Sequence, residues 1–245
     1  MIRQDNRQPE EIRPFRLVKN FQLHPAGSVL CCCGNTRVIC AVSVEENVPR
    51  WMKEENVPGG WITAEYQMLP SATGTRGERE VTKGRLSGRS AEIQRLIGRA
   101  LRAVVDLDKL PGLTVHVDCD VIDADGGTRC ASITGSCVAL ELAFQRLLAD
   151  GKITESPLKE RVAALSVGRL EGQVLADLCY VEDSSAEVDM NVIMTESGRF
   201  VEIQGTGEEA TFGEDELAEM LSLAKSGLRQ IFQVMGETVS SCENR

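Results

Sequence analysis

Histidine is nearly missing from this chain: His24 and His116 are the only two in 245 residues. Histidine is the side chain that most readily trades a proton near neutral pH, so histidine catalysis has few candidates. His116 lies mid-way along an alternating segment and reads as a packed side chain. No apolar run is long enough to span a bilayer. The first residues, Met1-Ile2-Arg3-Gln4-Asp5-Asn6-Arg7, are polar and charged rather than a secretory leader. A cytoplasmic protein without a membrane partner is therefore expected. Internal repeats and linker-like tracts are absent as well. Cysteine is plentiful, with nine residues, but no pair has CxxC spacing and no histidine is near enough in sequence to suggest a zinc site. The number is odd, and Cys31, Cys32 and Cys33 are consecutive. These cysteines read as buried, reduced thiols.

A hydrophobic share of 42% over 245 residues supports one large domain or two modest ones. The stretch 151–157 is the only candidate boundary. It divides 1–153 from 154–245, two halves expected to pack as one unit. Alternation marks strands at 28–33 and 37–44, joined by the hairpin signal Gly34-Asn35-Thr36, at 61–69, ended by Pro70, and at 113–121. In the second half, 162–167, 173–181, 187–195 and 199–204 read as strands. Helical spacing covers 90–105, 131–149 and 214–239. The fold class is α/β (α+β), mixed sheets with packed helices. Residues 71–88 lack apolar periodicity and read as a long exposed loop, a length at which loops are usually functional or mobile.

A net charge of −10 at first argues against a polyanion as partner, but the distribution argues otherwise. Between Arg76 and Arg102, seven arginines and Lys83 stand against Glu78, Glu80 and Glu92. Between Glu171 and Glu219, fourteen acidic residues stand against Arg199 alone. A polyanion suits the first region and divalent cations suit the second. Two solvated faces of an acidic protein are the plainer alternative.

Two constellations carry chemistry. Asp125-Gly126-Gly127-Thr128-Arg129 joins the strand 113–121 to the helix from Ala131. A small-residue turn entering a helix points backbone N–H groups outward, an arrangement that holds phosphate, and Arg129 can add a two-pronged charged contact. An ordinary glycine turn is the alternative. Asp183, read at a strand end, and Asp189, read in the next strand, flank the turn Ser184-Ser185-Ala186 and can face each other across adjacent strands. Carboxylates that close repel unless a cation lies between them. Mg²⁺, which takes a few carboxylate oxygens and keeps water or substrate phosphate for the rest, suits them. Acid-rich turn chemistry is again the alternative. Asp118 and Asp120, on the polar face of 113–121, form a second candidate pair.

A phosphate loop, a carboxylate pair and an arginine-rich segment together point to phosphoryl chemistry on a polyanion. Five collinear stretches reach across nearly the whole chain: WITAEYQMLP (61–70), SGRSAEIQRLIGRALR (87–102), DCDVIDADGGTR (118–129), EDSSAEVDMN (182–191) and EIQGTGEEA (202–210). On these the chain resembles the ribonuclease PH family, phosphorolytic 3′-to-5′ exoribonucleases that are tRNA nucleotidyltransferases. It is also similar to the catalytic cores of polynucleotide phosphorylase and of the exosome ring. The resemblance implies a ribonuclease PH fold, each half like the ribosomal protein S5 domain 2 superfold, and a homohexamer built as a trimer of dimers. It places phosphate binding on Arg89, Gly127, Thr128 and Arg129, and catalysis and metal binding (Mg²⁺ or Mn²⁺) on Asp183 and Asp189. RNA contact falls on Arg76 and Arg79. Inorganic phosphate would be the co-substrate, and tRNA precursors or other structured RNA would lose 3′ nucleotides as diphosphates; the reverse reaction adds them. Ser71 follows Pro70 where many relatives carry arginine, a departure that bears on the tRNA-holding or assembly contact rather than on the chemistry. A non-catalytic, RNA-binding ring subunit of exosome type is the competing reading. Such subunits typically lose the phosphate arginine or the acids, and this chain keeps both. A hydrolytic two-metal nuclease would leave Arg89 and Arg129 without a role.

Overall fold

A computed structural model describes residues 3, 5–208 and 210–241; Cys242 lies outside them. Alternation and a glycine turn build the first sheet. Its strands are β1 (Phe15–Lys19), β2 (Gly27–Cys33), β3 (Thr36–Glu45), β4 (Trp61–Met68) and β5 (Thr114–Asp123), in the order β1-β2-β3-β5-β4. Gly34 at φ +55° and Asn35 turn β2 directly into β3, with Cys33 opposite Thr36. Along β5, Val115, Val117, Cys119 and Val121 fill the core, while His116, Asp118 and Asp120 occupy the other face. The strands pair antiparallel except β4 with β5. A parallel pair needs a crossover, and α2 (Gly88–Val104) supplies it. Ser87 accepts from Ser90 N at 3.0 Å to cap that helix, and Ile93, Leu96, Ile97, Ala100, Leu101 and Val104 bury its inner stripe. The short helix α1 is Arg50–Glu54.

The second sheet, in the order β7-β6-β8-β9, is antiparallel throughout. It contains β6 (Val162–Leu170), β7 (Gln173–Ala176), β8 (Val188–Thr195) and β9 (Phe200–Gly207). Helix α3 (Thr128–Ala149) packs against β2 and β3 on one side and β6 on the other. Buried from both directions, it carries apolar or small residues nearly all round, among them Ile133, Val138, Leu140 and Phe144. Gly135 permits the close approach, because a Cβ there would lie 2.9 Å from the Cys31 Cβ. The last helix, α5 (Glu214–Ser240), covers β6. One hydrophobic cluster runs through both sheets and all three long helices.

Four features differ from the sequence reading. The edge strand β1 and helix α1 escape periodicity, since each has five residues and only Leu17 and Met52 reach the core. The strand expected over 173–181 ends at Ala176. Asp177 then adopts φ +53°, and Tyr180–Asp183 forms one helical turn, α4. Asp183 therefore stands at a helix end and not at a strand end. Helix α3 begins at Thr128 rather than Ala131. Within 71–88, a 3-10 turn occupies Glu80–Lys83. The eight described cysteines are all unpaired, and seven are buried. Burial pushes the Cys137 thiol up to about 12 and raises Cys31, Cys33, Cys40 and Cys130 as well, except that at Cys40 the hydrogen bond with Cys119 is the larger cause.

Candidate active site

The turn into α3 is shaped by two glycines in the left-handed region, Gly126 at φ +75° and Gly127 at φ +66°. At Gly126 the reason is also space: a Cβ would lie 2.5 Å from the Leu178 carbonyl oxygen, so the loop presses on the chain that leads into α4. Gly127 is the N-cap and no side chain caps the turn. The first helical bond runs from Ala131 N to Gly127 O at 3.0 Å. The N–H groups of Thr128, Arg129 and Cys130 thus have no partner within the helix, and the helix dipole adds positive potential there. The Thr128 hydroxyl, buried, lies 2.9 Å from the Tyr66 hydroxyl of β4. Thr36 of β3 pins the loop from below. Its hydroxyl donates to Gly126 O at 2.7 Å and accepts from Asp125 N at 2.9 Å.

Arg129 projects from the first turn of α3 into a cleft of about 720 Å³ that Arg89, Gly127, Thr128, Asp183 and Asp189 also line. Gln204 of β9 accepts from Arg129 at 3.2 Å, and Glu92 of α2 stands 3.7 Å away. Gln204 itself donates to Glu92 and Glu202. Arg89, one residue into α2, has no ion-pair partner among the described residues. The two acids come from α4 and β8. Burial raises the pKa of Asp183, and Arg89 and Arg129 offset this in part. Burial, followed by the charge of Asp183, lifts Asp189 to about 6. Asn191 donates to Asp189 Oδ2 across a long 3.5 Å. Asp189 Oδ1 is buried and has no hydrogen-bond partner among the described residues. Buried carboxylate oxygens are rarely left alone, so this one is suited to a ligand.

All six residues expected to bind phosphate or act as catalytic acids therefore meet at one cleft. The two expected to touch RNA do not join it. Arg79 borders an adjoining cavity of about 250 Å³ that shares Arg89, and Arg76 is exposed outside both. Asp118 and Asp120 lie on the outer face of the first sheet beside Glu65, away from the cleft, with pKa values raised by burial and by that neighbour. No group of three metal-ligating side chains forms among the described residues. Two further arginines of α2 serve the fold: Arg99 pairs with Glu202 at 2.8 Å, and Arg102 stacks 4.7 Å from the Trp61 ring centre.

A model of the 3′ exoribonuclease family, domain 1, matches residues 11–144, and the corresponding domain 2 model matches 160–227. The chain belongs to the 3′ exoribonuclease family. It is 54% identical over 239 residues to Ribonuclease PH of Listeria innocua, covering 97% of this chain and 96% of that protein. It is 56% identical to Ribonuclease PH of Bacillus velezensis, with 97% and 98% covered. Among solved structures, rice Rrp46 superposes with a TM-score of 0.79 at 23% identity, covering 98% of this chain and all of that one. The Archaeoglobus fulgidus exosome with RNA bound to its active site gives 0.78 at 21%, with 94% and 91% covered. These structural likenesses speak for the ribonuclease PH fold. Within that fold, sequence reasoning assigned no role to Tyr66, Glu92, Asn191 or Gln204. Asn191 was open to inference, because it lies two residues from Asp189 and so on the same strand face. Gln204 reaches the site only through its register opposite Asn191.

Proposed function

We infer that this chain is a phosphorolytic 3′-to-5′ exoribonuclease that trims the 3′ ends of tRNA precursors. The observation that carries the reading is the joint one: an anion seat made by the first turn of α3, Arg129 and Arg89 shares a cleft with two half-buried acids. A hydrolase has no use for a second anion seat, whereas a phosphorolytic enzyme must hold inorganic phosphate beside a phosphodiester. The full-length likeness to proteins named Ribonuclease PH supports the same reading.

Inorganic phosphate rests against the N–H groups of Thr128 and Arg129, with the two guanidinium groups neutralising repulsion from the RNA. One of its oxygens attacks the last phosphodiester phosphorus. The bond from that phosphorus to the 3′ oxygen of the preceding nucleotide breaks, a nucleoside diphosphate leaves, and the shortened RNA keeps a 3′-hydroxyl. Positioning and charge neutralisation do most of the work in such a transfer. The proton for the departing oxygen comes from Asp183, whose pKa burial raises, while Asp189 works as the ionised carboxylate. The same carboxylates suit a divalent cation, Mg²⁺ or Mn²⁺, because their mutual repulsion and the unpartnered Asp189 Oδ1 both call for positive charge. When bound, the ion supplies neutralisation of the charge that develops in the transfer. Arg76 and Arg79 hold the RNA body, and the working form is a cytoplasmic homohexamer, a trimer of dimers. No helix among the described residues is long and apolar enough to cross a membrane.

The test is a tRNA carrying extra 3′ nucleotides, incubated with Mg²⁺ with and without inorganic phosphate. Shortening that requires phosphate supports the reading. Shortening without it means hydrolysis, and binding without shortening means a non-catalytic ring subunit; either contradicts it.

A further inference from the structure

The phosphate-binding residues and catalytic acids run from Arg89 to Asp189, yet three arginines of the first thirteen residues converge beneath their cleft. Arg13 is 3% exposed. Its guanidinium donates to both carboxylate oxygens of Asp177, at 2.9 and 2.7 Å, and its backbone N donates to Asp177 at 2.7 Å. A further guanidinium N–H donates to the Asp125 carbonyl. The group lies directly behind the phosphate loop, since a Cβ on Gly127 would come within 3.2 Å of Arg13 Nη2. Arg3, also buried, clasps Glu182 through two bonds of 2.7 and 2.8 Å and donates to the Asp177 carbonyl at 2.9 Å. Glu182 in turn accepts from Cys179 N at 2.9 Å, closing the single turn of α4. Arg7 adds two bonds of 3.1 Å to the same Asp177 carbonyl. Tyr180 N donates to Asp125 Oδ1 at 3.2 Å, so loop and helix also touch directly.

The arrangement is expensive as mere packing. Buried ion pairs rarely beat apolar residues for stability, and α4, at four residues, cannot hold itself in place. Each of these bonds ends on the phosphate loop, on α4 or on Asp177, which leads into α4; Arg3 and Arg7 also donate to the Gln8 and Glu11 carbonyls of their own segment. Asp177 keeps its charge even though burial alone would raise its pKa, because the Arg13 hydrogen bonds and charge more than offset that and hold it below the usual range.

We propose that Arg13 is a positioning residue of the phosphorolysis site: it locks the phosphate loop to the segment that carries Asp183, while Arg3 and Glu182 fix the helical end of the same lock. The inference rests on the phosphorolytic reading and adds the N-terminal strap to its machinery. The nucleophile and the acids sit on separate elements, so their relative placement depends on this joint. Displacements of about 1 Å cost roughly a hundredfold in rate in well-positioned sites.

The experiment is steady-state phosphorolysis of a short RNA by the full chain at varied inorganic phosphate, with RNA affinity measured separately, at temperatures well below each variant's unfolding midpoint. Arg13→Lys keeps the charge and loses the fork. It should raise the KM for phosphate by about tenfold or more, with RNA affinity within about twofold of wild type. Glu182→Gln should instead lower kcat by about tenfold or more and leave the phosphate KM within about twofold. Glu141→Gln, which breaks the partly buried Arg161–Glu141 pair away from the cleft, controls for destabilisation and should change neither constant. An Arg13→Lys protein with wild-type KM, or with a lowered kcat alone in proportion to lost stability, overturns the inference. If Arg13→Lys does not fold, Glu182→Gln decides, and an unchanged kcat overturns it. A wild-type protein without phosphate-dependent release removes the functional reading and this inference together.

Discussion

Arg129 stands at the helix start, in the cleft and in the network through Gln204 and Glu92, and the proposed reaction asks it to hold the attacking phosphate. Arg129→Ala should lower phosphate-dependent release at least a hundredfold while RNA binding falls by less than about tenfold, given the usual worth of charge-assisted contacts; a nitrocellulose binding assay beside the activity assay separates the two. At Asp189 the raised pKa, about 6, gives a signed expectation. The carboxylate is ionised only above about pH 6, so phosphorolysis should decline as pH falls through 6, and a rate flat down to pH 5 would count against its role. The same shift acts on stability in the opposite sense. Between about pH 4 and 6 the folded state holds a proton that the unfolded state releases, so the group stabilises at low pH and that contribution is lost as pH rises. Without divalent ions, Asp189→Asn should therefore unfold at a higher temperature than wild type at pH 7, by an amount worth about 1–3 kcal/mol, and show no advantage below about pH 4. Asp183 and Asp189 could be named from sequence because they lie six residues apart around a turn. Their path was misread, because Val174, Leu175, Leu178, Tyr180 and Val181 continue a strand-like pattern that only the left-handed Asp177 interrupts.

At the scale of elements, the start of α3 is the most demanding joint. Gly126→Ala puts a Cβ into the Leu178 carbonyl and strains a positive φ. It should cost more than about 1 kcal/mol of stability and weaken phosphate binding more than RNA binding, which calorimetry with phosphate and melting curves would show together. Elements with long periodic stretches were legible in the chain: α2 and α5 by their stripes, β5 by alternation, and the β2–β3 turn by Gly34-Asn35. Short elements were not. β1 and α1 have too few residues to show a period, and they exist because neighbours give them partners, β2 in one case and the Trp51–Trp61 edge contact in the other, with ring centres 5.1 Å apart. The glycine turn into α3 could be read because its parts are contiguous. The residues that steady it, Thr36, Tyr66, Glu92 and Gln204, come from four separate elements and are joined only by the fold.

For the molecule as a whole, the two sheets share one core around α3, so damage to that helix should unfold both halves together. Phe144→Ala, at a fully buried position, should cost about 3–5 kcal/mol, seen as a single cooperative transition at lower temperature; two separated transitions would contradict a common core. Charge is divided along the same plan, with the arginine-rich 76–102 region opposed to the acidic second half, despite a net charge of −10. Replacing Arg76 and Arg79 with alanine should reduce the salt slope of RNA binding by about one to two, leaving single-turnover chemistry at saturating RNA nearly unchanged. The central claim is that the turn holding Thr128 and Arg129 seats the nucleophile. The measurement that tests it most directly is to supply labelled inorganic phosphate with unlabelled, 3′-extended tRNA and follow the label. It should appear in the terminal phosphate of released nucleoside diphosphate with the wild-type chain and vanish with Arg129→Ala. Unlabelled nucleoside monophosphate as the product, or label transfer undiminished in the variant, would contradict it.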